Sequence, residues 1–475
     1  MAKIILVNPQ IIASSWMAPL DKTDDIVIRH GLAYLSASLK KYNHQVILAD
    51  LRLMKNFKEY EELLKKEGPD FMAVTIHTCE HLVALECFRR AKNINQNIIT
   101  IAGGIQATMF PTEFIKSKLV DFVIRGEGEI SLPKLLETPQ NFPQIFYGES
   151  PDLDKIPFED RELWPDYKIR IQQKILNFSG ESPTIDMLTK RGCPWQCRFC
   201  CGPGEQNLYT KEIDGKRIPF IRARSVNNVM KEMKILYQKY RYKSIIFHDD
   251  EFLINPEWTD DFCHAMHNYG FAKKKIKWWA AVRADMICRF PKLIKQMKEA
   301  GLDTISIGFE SFSNRMLKWM NKGTTAEMNF QAAKIAKKLG LKIYANTIFG
   351  LPYEDKKWYI EDDLITLQAI KRVKPHTWAY SYFTPIPGSP FYEWFKENNL
   401  ILDKNNLELS GLRFPNKATI KDVNYQQLEK LIIEDRYRVT QPLHKRIIRK
   451  ALKTIGLWGF VKKYYNIIKN IKKYD

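Results

Sequence analysis

The chain has 475 residues, of which 45% are hydrophobic and 27% charged, and its formal net charge is +20. This composition is ordinary for a globular protein, and the length suggests two or three domains rather than a single core. No run approaches the ~18 uncharged apolar residues that a membrane helix needs, and residues 1–19 lack a small-residue cleavage pattern, so we expect a cytoplasmic protein.

The first 136 residues alternate short apolar runs with segments of helical periodicity. Apolar strands separated by helices are typical of a doubly wound parallel sheet, which binds ligands beyond the carboxyl ends of its strands. The predicted strands are Lys3–Asn8, Val46–Asp50, Phe71–Thr75, Ile98–Gly104 and Asp121–Ile124, and the predicted helices are Gly31–Lys40, Leu82–Ala91 and Glu129–Leu136.

A proline-rich acidic segment, 151–165, interrupts this pattern, and the alternation of strands and helices then resumes. Ser225 is expected to cap a helix that runs to Tyr240. The six predicted strands of this second region are Thr184–Thr189, Ser244–His248, Lys277–Arg283, Thr304–Glu310, Ile343–Gly350 and Thr377–Phe383.

Three cysteines, Cys193, Cys197 and Cys200, follow the first strand of this second region in the pattern Cys-x3-Cys-x2-Cys. Thiolates ligate iron–sulfur clusters, and three of them would leave one iron of a 4Fe–4S cluster open to a small chelating molecule. A structural zinc site would need a fourth ligand at a second knuckle, which Cys201 is badly placed to supply. A disulfide framework is not expected from 8 cysteines in a chain of this length. We expect the side chain of Cys201 to diverge from that of Cys200 and not to ligate the cluster.

This cysteine spacing resembles the signature of the radical S-adenosylmethionine (SAM) superfamily, in which SAM binds the open iron. The resemblance implies a partial (β/α)6 barrel with its chemistry at the carboxyl ends of the strands. Each strand-end motif is weak alone, because a strand-end Asp often only caps a helix, but the order and spacing of the set agree with the superfamily. The SAM-binding candidates that it implies are Phe199, Asp249, Asp250, Glu251, Arg283, Gly308, Glu310, Ser311 and Gly350.

Short sequence segments in the first region resemble the cobalamin-binding domain that precedes many radical SAM domains. They are Asn8-Pro9, Gly31–Leu35, Ala102–Thr108 and Val120–Glu129. Glycines at such edges let the backbone approach a bulky ligand closely. The alternative is a flavodoxin-like domain without a ligand. The candidate cobalamin contacts are Asn8, His77, Thr78, Gly103, Gly104 and Glu127.

The chain lacks the Asp-x-His-x-x-Gly motif with which classical cobalamin domains ligate cobalt after the first strand. His77 is the nearest polar ring at the expected ligand edge. We therefore hypothesise that His77 approaches the lower face of the cobalt as a ligand or cap. The alternative is that it only lines its loop or bonds a propionamide.

The last 35 residues, 441–475, hold ten Lys or Arg residues and one acidic residue, with apolar residues at helical spacing. Basic amphipathic helices can lie on anionic membranes, so peripheral membrane contact is one hypothesis. The other is a helix that docks on the barrel with a solvated basic face. No nucleic-acid partner is expected, because no recognition motif is present.

These observations predict a cobalamin-binding domain over residues 1–145, a linker over 146–182, a barrel over 183–395 and a basic helical extension over 396–475. The resemblance implies an enzyme that uses a 4Fe–4S cluster, SAM and cobalamin. Its expected reaction is methylation of an unactivated carbon or phosphorus in a small-molecule or lipid-like substrate. The expected electron donor of this enzyme is a protein such as flavodoxin or ferredoxin.

Two other functions stay open from the sequence. One is a non-methylating oxidative cyclase or rearrangement enzyme with the same cofactors. The other, of a different class, is a corrinoid-binding sensor or carrier without turnover. A methylthiotransferase is less well supported, because it would need a second cysteine triplet near the N-terminus, where only Cys79 and Cys87 occur.

Overall fold

The computed structural model of the protein describes residues 1–9, 27–173, 181–209, 220–402 and 419–440. Within these ranges the chain forms two parallel six-stranded sheets and one small antiparallel ribbon. The predicted fold class is confirmed: a Rossmann-like domain precedes a partial barrel of βα units. In the described part of the chain, no helix combines the length and the apolar character needed to cross a membrane.

The first sheet is doubly wound, with strand order β2-β1-β3-β4-β5-β6. It includes a sixth strand that the sequence analysis did not predict, because that strand has only three residues and closely follows a proline. The elements are β1 (Lys3–Asn8), α1 (His30–Lys41), β2 (Gln45–Asp50), α2 (Phe57–Glu67), β3 (Phe71–Thr75), α3 (His81–Ile94), β4 (Ile99–Gly103), α4 (Ile105–Met109), α5 (Pro111–Lys116), β5 (Phe122–Arg125), α6 (Ser131–Glu137) and β6 (Ile145–Tyr147).

Alternate residues of β1 pack into different cores because successive side chains of a strand point to opposite faces. Ile5 and Val7 are fully buried in a core that belongs to the first domain alone. Ile4 and Leu6 are buried in a core that continues into the barrel. One face of the first sheet therefore contributes to the cohesion of the whole molecule.

The second sheet has its strands in sequence order, β14-β13-β12-β11-β10-β7, all parallel. This is the order expected of a partial barrel, in which each helix returns the chain to the neighbouring position. The elements are α7 (Tyr167–Arg170), β7 (Thr184–Met187), β8 (Lys190–Arg191), α8 (Gly202–Tyr209), β9 (Arg222–Ala223), α9 (Val226–Tyr240), β10 (Ser244–Phe247), α10 (Pro256–Asn268), β11 (Lys277–Ala281), α11 (Ala284–Arg289), α12 (Pro291–Glu299), β12 (Leu302–Glu310), α13 (Asn314–Trp319), α14 (Ala326–Lys338), β13 (Lys342–Phe349), α15 (Ile360–Val373), β14 (Thr377–Tyr382), α16 (Pro390–Glu397) and α17 (Tyr425–Thr440).

The connecting segment between the sheets is largely buried rather than a solvated tether. Trp164 is 1% exposed and donates a hydrogen bond from its indole to Asp50 at the end of β2. Arg161, also buried, pairs with Glu232 on α9 and donates to the backbone oxygen of Asp186. The segment therefore fixes the first domain against the barrel. The predicted amphipathic tail, 441–475, lies outside the described residues.

Gly104 is required by its backbone conformation at the carboxyl edge of the first sheet. Its φ is +85°, and a Cβ there would lie 2.6 Å from the backbone nitrogen of Ile76. We expect Gly104→Ala to lower the free energy of unfolding by on the order of 1–3 kcal/mol. The matched control is Gly31→Ala in α1, where an added Cβ meets nothing within 4 Å. Urea unfolding measures both, and equal midpoints would contradict the prediction.

Candidate active site

The cysteine loop, defined here as residues 192–200, is held against the carboxyl edge of the barrel by its own backbone. The amide of Arg198 donates to the carbonyl of Met320, and the amide of Phe391 donates to the carbonyl of Arg198. The Arg198 guanidinium also lies 3.9 Å from the centre of the Trp319 ring. The loop is thus fixed by the segments after β12 and β14, which are far from it in sequence.

The three predicted cluster cysteines share this loop. Cys197 is buried, and Cys193 and Cys200 are partly exposed. Burial raises the pKa of the Cys193 thiol to about 11 and also raises that of Cys197. The Arg283 guanidinium lies 3.7 Å from the Cys197 sulfur, and the amide of Gly202 donates to the Cys200 sulfur at 3.4 Å. These donors and positive charge favour the thiolate form that iron requires.

The spacing of the three sulfurs fits a cluster better than a single ion. Among the described residues, the three cysteines do not form a set whose ligand atoms all lie within 4.8 Å of one another. Tetrahedral zinc, with Zn–S bonds of about 2.3 Å, would bring thiolates within about 3.8 Å. In a 4Fe–4S cluster each thiolate binds a different iron and the sulfurs lie farther apart. The three cysteines thus do not form a single-ion site here, and their role as cluster ligands stays a prediction.

The side chain of Cys201 does not diverge from Cys200, contrary to the expectation from sequence. The two thiols are hydrogen-bonded, and this contact lowers the pKa of Cys200 to about 7 and raises that of Cys201. The chain turns at these residues to begin α8 at Gly202, and that turn brings adjacent side chains together. That Cys201 is not a ligand stays a prediction.

The acidic triplet after β10 divides into two anchors and one open carboxylate. Asp249 is 3% exposed and accepts hydrogen bonds from the amides of Thr189 and Lys190, at 2.6 and 3.1 Å. Glu251 is 2% exposed and accepts from the amides of Leu253 and Arg283. Both carboxylates therefore tie neighbouring strand ends together.

Asp250 is exposed and lines the cavity between the domains. The structure thus leaves one of the three predicted SAM-binding acids free to contact a ligand. Burial in turn raises the pKa of Glu251 to about 7.

Arg283 pairs with a carboxylate of its own chain. Its Nε donates to Asp285 at 2.9 Å, and its guanidinium also donates to the carbonyl of Lys322 and stacks over Trp195. The predicted residue therefore lies at the site, but it supports the cysteine loop rather than presenting a free cation.

The strand-end motif of β12 is strained and charged. Glu310 has φ +58°, and its carboxylate forms an ion pair with Lys322 at 3.0 Å. A Cβ at Gly308 would lie 2.4 Å from a Glu310 carboxylate oxygen, so a larger residue there would displace this side chain. Ser311 is buried, and its hydroxyl contacts that of Thr366 at 3.0 Å. Gly308 and Glu310 thus lie together, whereas Ser311 has a structural contact.

Two further predicted residues lie in the barrel rim. Gly350 follows β13 with φ +73°, and its amide donates to the buried carboxylate of Asp363 at 3.2 Å. Burial raises the pKa of Asp363 to about 7. Phe199 packs against the apolar cluster below the rim, 5.6 Å from the Lys322 ammonium.

The carboxyl edge of the first sheet carries a narrow slot of about 60 Å³. Gly103 and Gly104 line it together with apolar residues of β3, β4 and β5, so the backbone is open to a flat or slender group. Asn8 is fully buried beneath this edge, where its amide donates to Asp50 and accepts from Arg29. Asn8 therefore supports the edge from inside.

His77 lies at the same edge but is not among the residues that line the two cavities described in this section. Its side chain is 47% exposed, and its Nδ1 lies 3.0 Å from Glu80 and 2.8 Å from Arg29. Thr78 begins the 3-10 turn that follows. The structure thus gives His77 a local ion-pair environment, and its approach to cobalt stays a prediction.

A cavity of about 330 Å³ separates the two domains. Its walls combine the edge of the first sheet with the start of the cysteine loop. Glu127 pairs with Arg191 and Arg222 across it, each at 2.6 Å. Burial opposes ionisation there, but the two arginines hold the pKa of Glu127 below its usual range. The lining residues include Gly31, Tyr34, Thr75, Gly104, Gly126, Glu127, Gly128, Lys190, Arg191, Gly192, His248 and Asp250.

Sequence reasoning missed the cationic residues of this region. Arg191 immediately precedes Gly192 and the first cysteine, and Lys322 is the only cation in an ion pair with Glu310 among the described residues. The available signal for Arg191 was its position two residues before the first cysteine of the motif. The Lys322 contact spans twelve residues around a helix, so no local pattern indicates it.

Two family models match the chain. The model of the radical SAM superfamily matches residues 187–363, and that of the B12-binding domain matches residues 20–136. The chain therefore carries a radical SAM domain and, before it, a B12-binding domain. The radical SAM domain implies a 4Fe–4S cluster and SAM in the barrel. The B12-binding domain implies cobalamin at the first sheet, in agreement with its glycine-lined edge.

Curated relatives cover most of the chain at modest identity. An uncharacterized methyltransferase of Pyrococcus horikoshii is 29% identical over 394 residues, which are 79% of this chain and 80% of that protein. An anaerobic magnesium-protoporphyrin IX monomethyl ester cyclase of Cereibacter sphaeroides is 26% identical over 398 residues, 78% of this chain and 61% of that one.

The fold is shared with a solved cobalamin-dependent SAM radical enzyme, OxsB, with aqua-cobalamin and SAM bound. The TM-score is 0.60 at 18% identity, and the match covers 94% of this chain and 62% of that one. The chain thus spans about three fifths of OxsB and of the cyclase.

The cysteine roles predict unequal effects of adjacent substitutions. Cys200→Ala removes a proposed ligand and should abolish the visible absorbance of the reconstituted cluster. Cys201→Ala, the matched control, should retain it, because only the thiol contact with Cys200 is lost. Anaerobic reconstitution with iron and sulfide analysis measures both. Cluster loss in Cys201→Ala with retention in Cys200→Ala would contradict the assignment.

We expect substitutions of the two neighbouring aspartates to have unequal effects on the free energy of unfolding. Asp249→Asn breaks a buried pair with Lys190 and should lower the free energy of unfolding by on the order of 3–5 kcal/mol. Asp250→Asn alters an exposed carboxylate and should change it by less than ~0.5 kcal/mol. Urea unfolding gives these values, and the reverse order would show that the anchoring role of Asp249 is misassigned.

Proposed function

We propose that this radical SAM protein is a cobalamin-dependent methyltransferase that acts on an unactivated carbon or phosphorus of a small-molecule or lipid-like substrate. The observation that carries the proposal is the cavity between the domains. It is lined from one side by the glycine edge of the B12-binding domain and from the other by the start of the cysteine loop. A substrate there would lie next to both proposed cofactor sites.

The residues of this chain have distinct proposed tasks around that cavity. Cys193, Cys197 and Cys200 hold the cluster, and Arg283 supplies positive charge beside Cys197. Asp250 presents the free carboxylate for the amino group of SAM. Bound in these places, the cluster and SAM supply a 5′-deoxyadenosyl radical, and cobalamin carries the methyl group.

The glycines of the B12-binding edge are proposed to contribute close backbone approach, and His77 and Thr78 stay proposed contacts beside them. Gly103, Gly104 and Gly126 line the narrow slot at the carboxyl ends of β4 and β5. Their lack of side chains leaves room for a slender part of the corrinoid. Glu127 is proposed to contribute through its ion pairs with Arg191 and Arg222, which hold the two domains at a fixed separation.

The proposal extends to the partners and to the division of the chain. A flavodoxin- or ferredoxin-type protein is the proposed source of the electron. The domains are proposed to be residues 1–145, 146–182, 183–395 and 396–475. The high density of basic residues in 441–475 supports peripheral contact with anionic membranes, which would suit a lipid-like substrate.

A second candidate is a non-methylating enzyme with the same cofactors. The similarity to the protein named anaerobic magnesium-protoporphyrin IX monomethyl ester cyclase supports it, at 26% identity. The cavity itself is compatible with either reaction, because its walls carry the proposed SAM and corrinoid sites in both cases. The relative from Pyrococcus horikoshii, named as a methyltransferase, has the higher identity and favours the first proposal.

Turnover of the reconstituted protein distinguishes these functions. With SAM, cobalamin and a reductant under anaerobic conditions, we expect 5′-deoxyadenosine together with S-adenosylhomocysteine and a methylated product from a substrate panel. Cys197→Ala should abolish all three, and Cys201→Ala is the control that keeps the cluster. Deoxyadenosine without S-adenosylhomocysteine would favour the cyclase-type alternative. No SAM cleavage by protein with a full cluster would favour a sensor or carrier.

A further inference from the structure

We infer that His30, Asp186 and His248 form a binding site for one divalent transition-metal ion of the zinc or ferrous type. The site lies in the wall of the cavity between the domains. It shares no residue with the cysteine loop or with the predicted cobalamin contacts. Each of the three residues comes from a different element: His30 begins α1, Asp186 lies in β7, and His248 follows β10.

The ligand atoms converge as one ion requires. One ligand atom from each of the three side chains lies within 4.8 Å of the other two. The Nε2 of His30 lies 3.6 Å from a carboxylate oxygen of Asp186. Two ligands held at about 2.0–2.1 Å from a tetrahedral ion are separated by about 3.4 Å, so this spacing is close to that of a metal-bound pair.

Each of these three side chains has a buried atom without a hydrogen-bond partner. These atoms are the Nε2 of His30, the Nε2 of His248 and the Oδ2 of Asp186. Asp186 is only 6% exposed, so its free oxygen is not compensated by solvent. Buried polar atoms are nearly always hydrogen-bonded, and three exceptions within one cluster of side chains indicate a missing common partner.

The barrel supplies two of the ligands through strand register. Asp186 of β7 pairs with Ile246 of β10, and His248 lies two residues beyond Ile246. Residues two apart on a strand point to the same face, so Asp186 and His248 project from neighbouring strands in the same direction. The rigid core of the sheet therefore fixes their separation.

The first domain supplies the third ligand with a support of its own. The Nδ1 of His30 lies 3.0 Å from Glu159, which is 1% exposed at its side chain. A proton on Nδ1 that is donated to a carboxylate leaves Nε2 with a free lone pair facing Asp186. This carboxylate–histidine arrangement is the usual one behind a metal-bound imidazole.

Among the described residues, the carboxylate of Asp186 has no close cation that balances its charge. Arg161 pairs with both Glu159 and Glu232, and Arg224 pairs with Glu232. Among the described residues, the side chain of Asp186 has only His30 as an ion-pair partner, at a distance longer than a hydrogen bond. A buried carboxylate without a close partner is costly, and a divalent ion would compensate it.

The site borders the cavity. His248 lines the cavity wall, and so does Gly31, the residue that follows His30. Three protein ligands with one open position are typical of sites that bind water or an oxygen of a substrate. We infer that a hydroxyl or carboxylate oxygen of the substrate occupies this position. This last step rests on the proposed function; ion binding itself does not.

Zinc provides the direct test in the full chain, with cluster and cobalamin loaded. After equilibration with Zn²⁺ and removal of free metal, elemental analysis should find one zinc per chain. Asp186→Asn and His248→Ala should each lose it, with iron and cobalamin contents unchanged as the measure of folding. His264→Ala is the matched control, because His264 is an exposed histidine on α10, where its Asp260 contact also lies at the surface.

Substitution of Glu159, the carboxylate that supports His30, gives a further expected result. Glu159→Gln keeps a hydrogen-bond acceptor for His30 but removes the charge, and should weaken zinc binding by about 10–100-fold. The inference is overturned if the intact protein takes up no zinc. It is equally overturned if zinc is retained in Asp186→Asn and His248→Ala but lost in Cys200→Ala. Zinc uptake without methyl transfer would reject the proposed function alone.

Discussion

The largely buried ion pairs of Arg191, whose side chain is 20% exposed, fix the cysteine loop relative to the first domain. One guanidinium nitrogen pairs with Glu127 and another with Glu129, each at 2.6 Å. Arg191 is separated from Cys193 by a single glycine. Removing one partner of a buried pair is far more costly than removing a surface pair, so this contact strongly restricts relative movement. The distance between the two proposed cofactor sites depends on it.

A similar use of buried charge recurs throughout the junction. The connecting segment carries Arg161 into the interior, where it reaches α9 and β7. Trp164 adds an indole hydrogen bond to Asp50 of the first sheet. Such contacts combine with the apolar core that both domains share.

The barrel rim shows how carboxylates can be structural at one position and open at the next. Asp249 and Glu251 point inward and accept backbone amides, whereas the residue between them points to the cavity. Successive side chains point in opposite directions where the extended chain leaves β10, which accounts for this difference. Arg283 is likewise held by Asp285 and the carbonyl of Lys322. Most of the polar residues at the rim therefore preorganise the loop that carries the cysteines.

Local sequence determined the elements and the cluster motif. Apolar runs located the strands to within a few residues, because a strand buried on both faces needs a continuous apolar segment. The spacing of the three cysteines also indicated its chemistry without reference to the fold, since a short loop can bring its own thiols together. The short strand β6 was missed because three residues carry too little pattern.

Tertiary structure decided which polar residues are available for chemistry. Nothing in the sequence distinguishes Asp249 from Asp250, since burial of Asp249 depends on the amides of Thr189 and Lys190, which are 60 and 59 residues away. The convergence of His30, Asp186 and His248 spans more than two hundred residues and two domains. Periodicity and spacing report only neighbours along the chain. Contacts across the domain junction arise when the sheets pack, and only the folded molecule shows them.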